Sequence, residues 1–172
     1  MPRSPSRFHA RHPARPLAVA LAALIALTAC TPSEAPVDDQ TRSSVAATTQ
    51  RYAESVAAQL GTSSQVQQEE WADCTDAATG EVTGEQYIYN VRVDLDGEET
   101  FEQLSQRLRD HFEGEGWTWV EPTGSLPRVR LSHEGYNIGT TLEVERGYAT
   151  VGVGAGCLGS LEDVPEQDRA TS

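Results

Sequence analysis

An α+β fold is predicted: a two-layer sandwich in which an antiparallel sheet carries two helices on one face, with one disulfide. Three observations predict it. Apolar residues recur at helical spacing over residues 42–60 and 98–113, and over residues 86–96 apolar and polar residues mostly alternate. Four short strand-like runs then follow one another with only turn residues between them, which suits hairpin connections rather than parallel crossovers.

The elements come in this order. Over residues 42–60, Val45, Tyr52, Ala53, Val56 and Leu60 make an apolar stripe, and Gly61 supplies a stop. Residues 69–76, holding Trp71 and Cys74, form a strand. In residues 86–96, Tyr87, Tyr89, Val91, Val93 and Leu95 share one face opposite Asn90, Arg92 and Asp94, so one side is buried and the other wet. Gly97 turns the chain into a helix over residues 98–113, striped by Phe101, Leu104, Leu108 and Phe112, with Thr100 and Gln103 placed for a capping box. Strands are then predicted at residues 117–121, 128–133, 138–145 and 148–157, separated by turns at 122–127, 134–137 and 146–147. The domain therefore spans residues 42–158, and residues 159–172 read as a loose acidic tail.

Composition excludes several functions. All 13 basic residues of the 172 are arginine, which removes any chemistry that needs a lysine, including the phosphate-loop lysine and Schiff-base catalysis. Four of the arginines lie in residues 1–16, leaving nine against 26 carboxylates, a net −17 for the rest of the chain. Nucleic acid is not expected as a partner, because its affinity rests on cations that neutralise phosphates. By net charge a partner should be cationic or neutral.

The amino-terminal residues carry an address. Arg3, Arg7, Arg11 and Arg15 precede an uncharged run of 13 residues, Leu17 to Ala29, which is short of the ~20 that span a hydrocarbon core. The pattern is a cleaved secretory signal over residues 1–29. Leu27-Thr28-Ala29-Cys30 resembles the lipobox of bacterial lipoproteins. The resemblance implies that the Cys30 thiol receives a diacylglyceryl group, that the signal is cut before it, and that the new amino terminus can be acylated too. Two or more chains hold firmly where one binds reversibly, each buried methylene contributing roughly 0.8 kcal/mol. The expected location is the extracytoplasmic face of the cell membrane. Residues 30–41, rich in Pro, Ser, Thr and acid, read as a flexible tether of roughly 20 Å.

Cys74 and Cys157 are the thiols left once Cys30 is acylated. An exported domain meets an oxidising environment, so pairing is the economical reading, with two free thiols or an incomplete metal site as the alternatives. Two cysteines without a nearby histidine or third cysteine cannot complete a tetrahedral zinc shell. A leading helix, Trp71 three residues before Cys74, a mid-chain helix followed by Gly116-Trp117, and a last strand ending in Gly156-Cys157 are together similar to the small LppA-like lipoproteins of actinobacteria. That resemblance implies a cell-envelope lipoprotein and carries over no catalytic residues.

Sharper local patterns fail on chemistry. Gly154 to Gly159 fits GxGxxG, but neither a following helix nor an acid about 20 residues on is available; Gly152, Gly154 and Gly156 read instead as leaving one strand face bare. Asp94, Asp96 and Gly97 occupy the third, fifth and sixth places of a calcium loop whose first and twelfth places, Arg92 and Gln103, lack acids. Neither metal nor cofactor is expected. His111 and His133 are the only histidines beyond the signal, and no G-x-S-x-G elbow accompanies them. The remaining candidates are aromatic: Tyr87, Trp117, Trp119 and Tyr136 could stack a sugar, peptide or lipid, with Tyr136 expected to be the most exposed. The expectation is a noncatalytic binding module held by lipid through Cys30, with a protein or small ligand as partner. A small extracytoplasmic hydrolase and a passive structural lipoprotein are the alternatives.

Overall fold

The computed structural model describes residues 37–121, 127–160 and 162–169. The signal at 1–29, Cys30 and most of the tether lie outside the described residues. Among the described residues two α-helices, two short 3-10 turns and a six-stranded antiparallel sheet make up the fold, so the predicted α+β class is the observed one.

Helix α1, Asp39–Leu60, begins three residues before its predicted start. Asp38 caps it by accepting the Thr41 backbone N–H at 2.7 Å, and Asp39 favours the dipole in the first turn. Those backbone bonds hold the Asp38 carboxyl below its ordinary range. Thr41, assigned from sequence to the tether, is fully buried. The helix ends at Gly61, an extended cap residue that has to be glycine because a Cβ there would run into the Asp94 carbonyl.

Strands β1, Ser63–Thr75, and β2, Val82–Asp94, form a long hairpin with Trp71 opposite Tyr87 and a bulge at Gln67. Strand β1 starts six residues earlier than predicted, and β2 four. The extra residues of β1 are Ser, Gln and Val on a sheet edge that is exposed on both sides, so they carry no apolar alternation.

Helix α2, Phe101–Gly114, carries the predicted capping box: the Thr100 N–H donates to Gln103 Oε1 at 2.8 Å and the Gln103 N–H to Thr100 Oγ1 at 3.3 Å. Strand β3 is only Thr118–Trp119, whereas β4, Arg128–His133, has its predicted bounds. Strand β5, Tyr136–Glu143, starts two residues early because Glu134 and Gly135, with φ of 46° and 86°, make a two-residue hairpin turn. Strand β6 is Tyr148–Gly154, and the chain then leaves the ladder until Leu158 bridges Glu85.

The strand order is β1-β2-β6-β5-β4-β3. Cross-strand partners line up the inward rows: Tyr89, Val153, Ile138 and Leu131 in one, Val91, Val151, Thr140 and Val129 in the next. These residues are buried with Val45, Ala53, Val56 and Leu60 of α1 and Leu104, Leu108 and Phe112 of α2, forming one core on one face of the sheet. Cys74 and Cys157 are bonded, their Cα atoms 6.1 Å apart, and staple edge strand β1 to the segment after β6.

Beyond residue 159 the reading of a loose tail is corrected. Ser160, Val164 and Asp168 are buried. Asp168 accepts hydrogen bonds from Ser44 Oγ (2.6 Å) and Thr48 Oγ1 (2.8 Å), one turn apart on α1, and from Tyr136 OH (2.6 Å) on β5. Arg169 turns back onto the Val164 and Glu162 carbonyls. A carboxylate with three hydroxyl donors and one buried valine hold this segment down, although its composition is acidic. Among the described residues no helix is long and apolar enough to cross a membrane.

Candidate functional site

The four aromatic candidates do not line one groove. Trp117 and Tyr136 are buried, each edge-on to Tyr52 with ring centroids 4.8 and 5.3 Å away, and Phe112 closes on Trp117 from α2. The expected exposure of Tyr136 is therefore overturned. The tight Glu134-Gly135 turn makes Tyr136 the first residue of β5, paired with His133, and its side chain enters the core towards Asp168. Burial and the hydrogen bond to Asp168 push its phenol pKa far up.

Tyr87 is buried on the helix-covered face. Its hydroxyl donates to Glu69 Oε1 at 2.8 Å and accepts from Gln50 Nε2 at 2.7 Å. Burial, and then the Glu69 bond, raise its pKa to about 12. Trp119 is half-buried and already carries the Arg109 guanidinium 4.3 Å from its ring. Trp71 likewise lies under Arg42, whose other contact is Glu85 at 3.0 Å. The rings serve the core or stack on arginines of their own chain.

The histidines have equally local partners. His111 Nε2 lies 3.4 Å from Glu115, one turn on. His133 Nδ1 lies 3.1 Å from the Gly116 carbonyl oxygen and its Nε2 3.5 Å from Glu134. Among the described residues neither ring is hydrogen-bonded to a serine, threonine or cysteine.

A different arrangement appears on the sheet face that the helices leave uncovered. Alternation along the strands, combined with the register, sets two polar rows there. One row runs Arg130, Gly139, Gly152, Asn90 and Gln68; the other runs Arg128, Thr141, Thr150, Arg92 and Gln65. Their middle portion is a shallow hollow of about 240 Å³ lined by Asn90, Arg128, Arg130, Gly139, Thr141, Thr150 and Gly152. It crosses four strands, from β4 to β2, a breadth of about 14 Å. Because Arg128 and Arg130 are two residues apart on β4, they project from the same face with Cα atoms about 7 Å apart.

Two features distinguish this hollow from an ordinary wet sheet face. The first is charge. Seven of the nine arginines of the described residues meet a carboxylate, a carbonyl, a phenol or an aromatic ring. Arg128 and Arg130 alone have no such partner among the described residues, in a chain with twice as many acidic as basic side chains.

The second feature is Gly139. It lies mid-strand inside the sheet, with no positive φ, and a Cβ built on it would meet nothing within 4 Å. A strand-interior glycine lowers stability by roughly 0.5–1 kcal/mol relative to alanine, and the fold does not require one here. The register shows no bulge at Gly139, and its bare backbone leaves open space above the sheet. Gly152 is different, since a Cβ there would lie 2.7 Å from Asn90 Oδ1; its absence lets the Asn90 side chain fold across the strand. Asn90 Nδ2 then donates to Gln68 Oε1 at 2.8 Å.

Sequence reasoning missed this site, although a signal existed. Arg128 and Arg130 occupy alternate positions of a correctly bounded strand, and Gly139 falls at a polar position of the next one. Only the strand order puts them beside Gly152 and Asn90. The chain matches no family model, no curated protein and no solved structure.

Proposed function

We propose that this chain is a cell-envelope lipoprotein held on the outer face of the membrane through acylated Cys30, and that it works there as a noncatalytic binding module. Its resemblance to the small LppA-like lipoproteins, carried by Trp71, Cys74, Gly116-Trp117 and Gly156-Cys157, supports the envelope reading. The Cys74–Cys157 bond supports export, because such bonds persist in oxidising compartments. The observation that carries the binding reading is the division of the sheet: both helices cover one face, while the other holds a glycine-floored hollow flanked by two guanidiniums that have no partner among the described residues. A noncatalytic role is supported by the histidines, whose partners are a carbonyl and glutamates.

Detergent phase partitioning of the full chain after expression in a bacterium tests the anchor. The wild type is expected in the detergent phase and Cys30→Ala in the aqueous phase. Wild-type protein in the aqueous phase would overturn this reading.

A further inference from the structure

The geometry points to an acidic sugar unit as the ligand of the open sheet face, its carboxylate or phosphate held by Arg128 and Arg130 and its ring resting over Gly139. This deepens the binding reading above and rests on it.

The charge argument is local. Three carboxylates share the face, and each has its own contact: Asp94 with Arg92 at 3.5 Å, Glu143 with Arg146 at 3.9 Å, and Glu70 with Gln68 Nε2 at 2.6 Å. Arg128 and Arg130 therefore present charge that nothing described cancels. The net −17 of the processed chain, which favours cationic partners at long range, is screened beyond about 8 Å in physiological salt. Contact affinity is then set by the two guanidiniums, whose planar donor forks suit carboxylate or phosphate oxygens.

The rest of the ligand is read from the floor. Thr141 and Thr150 supply hydroxyls and Asn90 an amide, and among the described residues no apolar side chain lines the hollow. Such a floor gives an apolar body no hydrophobic gain, whereas a hydroxylated one finds donors and acceptors. The volume of about 240 Å³ suits a single sugar ring rather than a folded partner. The bare backbone at Gly139 leaves room for the ring where any other residue would raise a side chain.

Binding of glucuronate, glucose 6-phosphate, glucose, acetate and inorganic phosphate to the full processed chain in neutral detergent micelles tests the assignment by calorimetry. At least one acidic sugar is expected to bind. Glucuronate alone would identify a carboxylate as the natural group, and glucose 6-phosphate alone a phosphate; glucose should be at least about tenfold weaker than the acid that binds. R130Q is expected to weaken the acid by about tenfold, and G139V to abolish binding while the melting temperature stays level or rises, since a Cβ there meets nothing within 4 Å and β-branched residues favour strands. The inference is overturned if glucose, acetate or inorganic phosphate binds as tightly as the acidic sugars, if R130Q and G139V bind normally, or if none of the five binds. Such failures would leave the detergent partition of the wild type and Cys30→Ala unchanged, so loss of this ligand and loss of the anchor are separable.

Discussion

Replacing Asp168 by alanine removes the acceptor of three side-chain hydrogen bonds, from the buried hydroxyls of Thr48 and Tyr136 and the part-buried one of Ser44. Hydrogen bonds to a charged group contribute about 1.5–3 kcal/mol each, and three that share one carboxylate do not add in full. A total loss of about 4 kcal/mol follows, or about 15 °C in melting temperature for a domain of this size. Asp168→Asn separates charge from shape. Its oxygen can still accept from Ser44 and Thr48, and its amide can donate to the Tyr136 oxygen, so the loss should be nearer to about 1.5 kcal/mol. Urea denaturation of the wild type, D168A, D168N, Y136F and the D168A/Y136F double variant measures both totals and the Tyr136–Asp168 coupling. A coupling of at least ~1 kcal/mol is expected. If D168A costs less than ~1 kcal/mol, or if proteolytic removal of residues 160–172 leaves the midpoint unchanged, the carboxyl-terminal segment does not clasp the fold and the reasoning fails.

Other expectations concern the staple, the core and alkaline pH. Cys74→Ser opens a loop of 83 residues, an upper loss of about 4.5 kcal/mol by chain entropy; wild type in reductant should melt with the variant, and an unchanged melting temperature would refute the staple. Thr140 is fully buried between Val151 and Val129, its hydroxyl without a partner among the described residues, so T140V should raise stability by about 1 kcal/mol, seen as a higher urea midpoint at constant slope. Tyr87 is raised from 10.0 to about 12 by burial and Glu69, so the folded state holds its phenol proton more tightly than the unfolded state. Below pH 10 both states are protonated and this contribution is intact; as pH rises through 10 to 12 only the unfolded chain ionises, and stability falls. Y87F should make that alkaline decline shallower while buried Tyr136 keeps part of it, and an equally steep decline in Y87F would count against a contribution from Tyr87.

What could be read from the chain, and what could not, divides by how local the determining interaction is. Alternation in β2 and the Thr100–Gln103 capping box are nearest-neighbour facts, and both appear as expected. Strand β1 was half hidden because an edge strand exposed on both sides needs no apolar period. Residues 160–169 looked loose because one valine and one aspartate carry the attachment, and the partners of Asp168 lie 32 to 124 residues away. Tyr136 looked exposed because its turn was read as four residues; a two-residue turn makes it a strand residue and sends the ring inward. The hollow needed the order β2-β6-β5-β4, since no one strand contains both its arginines and its glycine floor.

The central claim, an exported chain anchored by lipid on one sulfur, is tested most directly by intact mass of the protein extracted from membranes. The account predicts a polypeptide beginning at Cys30, heavier than its sequence by acyl groups on that residue, with Cys74 and Cys157 oxidised to one another. A cytosolic product that begins at Met1 and carries a free thiol at Cys30 would contradict it.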